Sequence, residues 1–149
     1  DNAGHINAYR ILLDRVGRPH RGEHAITDNL NTADDDYAAH TRGLNTGSIG
    51  LALCGMAGAN QHPFAPGRFP LTKSQWNNAL LAAADLCRRY KIRPDERGLL
   101  MHSEVERIYK VSQAGKWDID RIPFNRGAYE EMTPGAELRE RVGVLLGGR

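Results

Sequence analysis

Ser48-Ile-Gly-Leu-Ala-Leu-Cys54 is the stretch whose reading decides the fold. Alternation puts Ile49, Leu51 and Leu53 on one face and Ser48, Gly50, Ala52 and Cys54 on the other, and neither face carries a charge. A strand with one wet face keeps polar residues there, so a strand without them is covered on both sides. The segment predicts a central strand, with small residues where another element or a ligand comes close.

Working outward, Tyr9-Arg-Ile-Leu-Leu-Asp-Arg-Val16 alternates as a second strand with Tyr9, Ile11 and Leu13 on one face. Gly17 supplies a turn, and residues 18–23 pair back as a short polar strand. Residues 24–47 are rich in Asn, Asp and Thr without sustained period, which predicts a long surface loop of the kind that often carries function. Its Asp34-Asp-Asp36 run lacks the alternating acids and the glycine of a calcium loop and reads as a solvated turn. Residues 55–70 are broken by Gly and Pro and form a loop.

Thr72-Lys-Ser-Gln75 has the form of a capping box. Trp76, Ala79, Leu80, Ala83, Leu86, Cys87 and Tyr90 follow at helical spacing, and Pro94 closes the helix. Residues 99–101 read as a short buried strand. Thr133-Pro134 opens a second helix, about 134–146, with Leu138, Val142 and Leu145 as its stripe. Strands interleaved with helices predict an α/β (α+β) fold: one domain over residues 1–149, with a central mixed β-sheet flanked by helices.

Composition removes several classes of function. A chain of 149 residues, 40% hydrophobic, builds one sizeable core. Its 20 Lys and Arg against 18 Asp and Glu give a net charge of +2, and the cations are spread along the chain, so nucleic-acid binding gains no support. No apolar run approaches the ~20 residues of a membrane span, and residues 1–8 lack the pattern of a signal peptide. Cys54 and Cys87 fall in apolar settings and read as small buried thiols rather than a disulfide. Cys54 has no positioned His and orienting group that would make it a nucleophile.

The chemistry concentrates in residues 99–124. An apolar run delivers His102, and Gly115-Lys-Trp-Asp118 returns Lys116 and Asp118 on one face of an extended backbone. Imidazole and carboxylate are both zinc ligands, and a cation two residues from the carboxylate suits a developing oxyanion. Taken singly, His102 reads equally as a structural histidine, Asp118 as a turn residue and Lys116 as an exposed cation. Glu104 and Glu106 are close enough to His102 for one of them to orient an imidazole. His20, His24 and His62 read as surface residues, and Trp117 as packing behind the site.

Four segments in order carry a resemblance: residues 9–17, Ala39-His-Thr-Arg-Gly-Leu-Asn-Thr-Gly-Ser-Ile-Gly50, Met101-His-Ser-Glu-Val105 and Gly115-Lys-Trp-Asp118. Together they resemble the successive motifs of the zinc-dependent N-acetylmuramoyl-L-alanine amidases. That family shares its fold with the peptidoglycan recognition proteins and includes amidase-type phage lysozymes. The resemblance implies a Zn2+ cofactor with His102 and Asp118 as ligands, and Lys116 and Tyr9 beside the metal as transition-state stabiliser and proton-handling group. It also implies that His40 and Asn45 border the substrate groove. The implied reaction is hydrolysis of the amide between N-acetylmuramic acid and L-alanine of the stem peptide, by an endolysin or a cell-wall-remodelling enzyme. Such an enzyme acts on the bacterial cell wall, in the periplasm or outside the cell, and is made in the cytoplasm if it is a phage endolysin.

One departure stands against these matches. The family's first zinc ligand is a His on a strand that precedes the Tyr9 motif, and this sequence begins after it. Three readings stay open. The missing strand belongs to an N-terminal segment or a partner polypeptide; or His5, just upstream of Tyr9, substitutes as the third ligand; or the site is incomplete, and the protein is a peptidoglycan-binding module that does not cleave. A metal-free scaffold with structural His and Asp is a more distant alternative.

Overall fold

A computed structural model describes residues 3–124 and 132–148, with side chains from Ile6 onward. Its elements run α1 (Ala3–Ala8), β1 (Ile11–Leu13), β2 (Pro19–Arg21), a 3-10 turn (Asp28–Leu30), β3 (Leu51–Leu53), α2 (Lys73–Tyr90), α3 (His102–Tyr109) and α4 (Pro134–Leu145). Among the described residues this is a small α+β domain with a mixed sheet flanked by helices, as the sequence predicts, and its α-helices number four.

The sheet has three strands in the order β2-β1-β3. β1 and β2 form the expected hairpin, with Ile11 opposite Arg21 and Leu13 opposite Pro19. The turn is closed by Asp14, whose Oδ1 accepts from the amides of Val16 at 3.1 Å and Arg18 at 2.8 Å. Gly17 sits there at φ +83°, a conformation that side chains resist. β3 runs parallel to β1, with Ile11 beside Leu51.

The strand order corrects one expectation: β1 is the middle strand and β3 lies at the edge of the described sheet. The uncharged faces of β3 have another cause. α2 packs across β1 and β3, and on Gly50, just before β3, a Cβ would sit 2.7 Å from the His40 ring. The small residue marks a close approach, as predicted, but of a loop histidine rather than a further strand.

α2 begins as its sequence dictates. Thr72 accepts from the Gln75 amide at 3.1 Å, and the Gln75 side chain accepts from the Thr72 amide at 3.0 Å. Such a cap contributes about 1 kcal/mol. Gln75 is fully buried, and its Nε2 also donates to the carbonyls of Leu13 (3.2 Å) and Cys54 (2.9 Å), tying the helix to the ends of β1 and β3. The stripe forms the core: Trp76, Leu80, Ala83 and Cys87 pack with Met101, Ile122, Leu138 and Val142. Trp76 Nε1 donates to Glu137 Oε1 at 3.1 Å, fastening α4 onto α2. α4 opens at Thr133, whose hydroxyl accepts from the Ala136 amide at 3.3 Å.

Other expectations change. Residues 99–101 are not a strand; they lead into α3, which starts at His102 itself. Tyr90 and Leu145, read into helix stripes, are exposed, each as the last residue of its helix. Cys54 is exposed rather than buried, whereas Cys87 is buried, and both are free thiols. Residues 3–8 form a helix that the sequence did not suggest. No helix among the described residues is long and apolar enough to cross a membrane.

Candidate active site

The loop 113–119 is fixed by the first turn of α3. The Ser103 amide donates to the Asp118 carbonyl at 2.9 Å, and the Ser103 hydroxyl donates to the Ile119 carbonyl at 3.2 Å. An amide otherwise unpaired at the helix start thus anchors the loop. His102, the first residue of that helix, lies against Asp118: His102 Nδ1 is 3.3 Å from Asp118 Oδ2.

Each group sets the protonation of the other. Interaction with the Asp118 carboxylate lifts His102 above the ordinary imidazole range, against burial and the charge of Lys116. Burial pushes the Asp118 carboxyl up, but His102 more than offsets it, and Asp118 lies below the usual carboxylate range. The charge of Lys116 reaches both groups. Tyr9 joins the cluster from the connection between α1 and β1. Burial, and then the negative charge of Asp118, raise its phenol above its ordinary value.

Tyr9 also faces His40, with ring centroids 6.3 Å apart and tilted by 56°. Both ring nitrogens of His40 are engaged, Nδ1 with the Ala38 carbonyl at 2.9 Å and Nε2 with Ser48 Oγ at 3.1 Å. Burial lowers the His40 pKa against the opposing hydrogen bond to the Ala38 carbonyl, and His102 adds a smaller lowering, so the neutral ring prevails at pH 7. Asn45 is a tether: its Oδ1 accepts from the amides of His40 (3.0 Å) and Thr41 (2.8 Å). Buried Asn29 completes the loop by donating to the carbonyls of Ala38 and Asn45.

Tyr9, His40, His102, Lys116 and Asp118, distant in sequence, therefore converge. His5 lies in α1, and its side chain is outside the described residues. Among the described residues no group of three His, Cys, Asp or Glu side chains is arranged to hold a metal ion. A metal at His102 and Asp118 would take its further ligand from elsewhere.

The glutamates differ from expectation. Glu104 does not reach an imidazole; it accepts from the Met101 amide at 3.0 Å and takes Arg139 in a bidentate pair at 2.8 and 2.9 Å. Glu106 accepts from the Gln113 amide at 3.1 Å. The partner of the imidazole is Gln113, whose Oε1 is 3.0 Å from His102 Nε2. Nothing in the sequence distinguishes Gln113 from the polar connection around it. Trp117, Glu104, Arg139 and Asp120 line a cavity of about 670 Å3 that Lys116 also borders and that neither His102 nor Asp118 lines. It lies beside the His102–Asp118 pair.

The family model described as N-acetylmuramoyl-L-alanine amidase matches residues 5–120, more than half of the chain. Neither a curated protein nor a solved structure matches it.

Proposed function

Because the chain belongs to the N-acetylmuramoyl-L-alanine amidase family, a family of peptidoglycan amidases that usually bind zinc, we propose that it cleaves the amide between N-acetylmuramic acid and L-alanine with a zinc ion held by His102 and Asp118. One observation carries the ligand assignment. Zinc bonds of about 2.0–2.2 Å at tetrahedral angles put two ligand atoms about 3.3–3.5 Å apart, and the His102 Nδ1 to Asp118 Oδ2 distance is 3.3 Å. The donor set fits as well, an imidazole nitrogen and an ionised carboxylate. His5 remains the in-chain candidate for the third ligand.

When bound, zinc supplies a Lewis acid for the carbonyl and lowers the pKa of a coordinated water toward ~7. The chain's own residues do the rest. Lys116 stabilises the negative charge that develops on the carbonyl oxygen as the amide carbon becomes tetrahedral. Tyr9 keeps its proton at neutral pH, because burial and Asp118 both oppose its ionisation, so it serves as a hydrogen-bond donor and a proton relay. His40, neutral and held by Ser48 and Ala38, and Asn45, which holds the loop, form the wall along which the muropeptide lies.

In this reading residues 1–149 are one amidase-like domain acting on the bacterial cell wall, as an endolysin or a remodelling enzyme. The non-cleaving module is the less favoured reading, since the residues that would serve chemistry converge at one site. Digestion of purified peptidoglycan tests the proposal. Labelling of newly formed amino groups should identify L-alanine as the new N-terminus, with no new reducing sugar ends. New reducing ends, or an amino terminus other than L-alanine, would refute the bond assignment.

A further inference from the structure

We infer that the cavity beside the His102–Asp118 pair is a sugar subsite, in which Trp117 is the platform for an uncharged pyranose ring and Asp120 accepts from one of its hydroxyl or acetamido groups. At about 670 Å3 the cavity has the size of small-molecule sites. Lys116 borders it and also reaches the pair with its charge, so a ring held here adjoins the reacting carbonyl. Trp117 is partly exposed and gives the cavity an aromatic surface. An indole offers a flat apolar body to the C–H face of a sugar. Asp120 supplies the polar contact. Its Oδ2 accepts from Gln61 Nε2 at 2.7 Å, whereas Oδ1 is buried without a hydrogen-bond partner. A buried acceptor left unpaired is costly. Rotation about the Cβ–Cγ bond, which has only a broad preference, turns it toward the cavity that Asp120 lines.

Charge selects the occupant. Arg139 in the cavity wall is paired with Glu104 at 2.8 Å, and Arg107 with Glu96 at 3.3 Å. Both guanidinium groups are thus neutralised and offer little to a ligand carboxylate, and the carboxylate of Asp120 repels one. The remaining cation of the lining, Lys116, is assigned to the reacting carbonyl. A stem peptide carries free carboxylates. A muramyl ring whose lactyl carboxyl is held in the amide carries none, and it is directly attached to the bond to be cleaved. The ring therefore suits this cavity, and the peptide arm is left to the wall of His40 and Asn45, neither of which lines it. That the sugar is the muramyl residue rests on the proposed function; the preference for a neutral ring over a carboxylate does not.

The test is NMR of the tryptophan indole N–H groups in metal-free full chain, titrated with N-acetylmuramyl-L-alanyl-D-isoglutamine and, separately, with the sugar-free dipeptide L-alanyl-D-isoglutamine. The muramyl probe should shift the Trp117 signal and leave that of Trp76, buried against Glu137, in place. The sugar-free dipeptide should leave Trp117 unmoved. Trp117→Ala and Asp120→Ala should each weaken binding of the muramyl probe by about 10-fold or more, the size of one lost contact to a charged group, with a cooperative thermal melt as the folding control. No response of Trp117 to the muramyl probe, or an equal response to the sugar-free dipeptide, would overturn the inference, and neither measurement needs a variant. So would folded variants that bind the muramyl probe as tightly as wild type. Binding at Trp117 in a chain that cleaves no peptidoglycan would refute the amidase reading alone and uphold the subsite.

Discussion

His102 Nδ1 lies 3.3 Å from Asp118 Oδ2, across a gap where a proton or a metal ion satisfies both. Asp118→Asn keeps the shape of the side chain and removes its charge. Zinc affinity, measured by chelator competition, should fall by more than the 10- to 100-fold typical of an outer partner, while a cooperative thermal melt shows that the metal-free variant is still folded. His102→Ala should do the same. Unchanged affinity in both variants would place the metal elsewhere.

Lys116 is exposed and is not one of the proposed metal ligands, so the proposed function gives it a role in the transition state. Lys116→Ala should reduce kcat by about 10²–10³-fold, the size of a lost oxyanion partner, with KM and zinc content close to wild type. Steady-state kinetics on a soluble muropeptide separates the two constants. A change confined to KM would make Lys116 a substrate-binding group instead.

The Tyr9 phenol is held protonated by burial and by Asp118. Removing only the hydroxyl in Tyr9→Phe should lower kcat by about 10²-fold, within the range of positioned proton donors. The fold should be intact, since the ring keeps its place beside His40. Wild-type kcat in Tyr9→Phe would exclude the hydroxyl from proton handling.

Several of these side chains could be read in the sequence because their signals are local. Thr72 and Gln75 announce the start of α2 at a spacing of three, and Thr133-Pro134 does the same for α4. The β1–β2 hairpin follows from alternation around Gly17. What escaped depends on partners far along the chain. The first residue of α3 was hidden because Met101, in the cap position, has no polar side chain, and the short apolar run before it fits strand or helix equally. Glu104 supplies the missing cap by reaching back to the Met101 amide. The edge position of β3 depends on strand order, which periodicity does not encode. Gln113 gains its role from the Arg42 carbonyl, 71 positions away.

Glu104 and Arg139 form a bidentate pair in which each side chain is only 11% exposed. Burial raises the Glu104 carboxyl, but Arg139 and the Met101 amide outweigh it, and the group lies below its ordinary value. A depressed carboxylate stabilises the fold above its unfolded pKa of ~4.3, and that contribution is lost as pH falls through the folded value. Glu104→Gln should cost about 2 kcal/mol at pH 7, and its urea midpoint should converge on wild type as pH falls below about 4. Arg139→Met, which strands the carboxylate, should cost about 3 kcal/mol or more. A difference between wild type and Glu104→Gln that stays constant from pH 7 to pH 3 would show that the ionised pair does not stabilise the fold.

Zinc dependence of the reaction itself tests the central claim most directly. Release of L-alanine-terminated stem peptide from purified peptidoglycan is measured with the metal-free chain, with added zinc, with excess chelator, and with His102→Ala plus zinc. The account predicts release only in the zinc-loaded wild type. Undiminished release in chelator, or from His102→Ala, would contradict it.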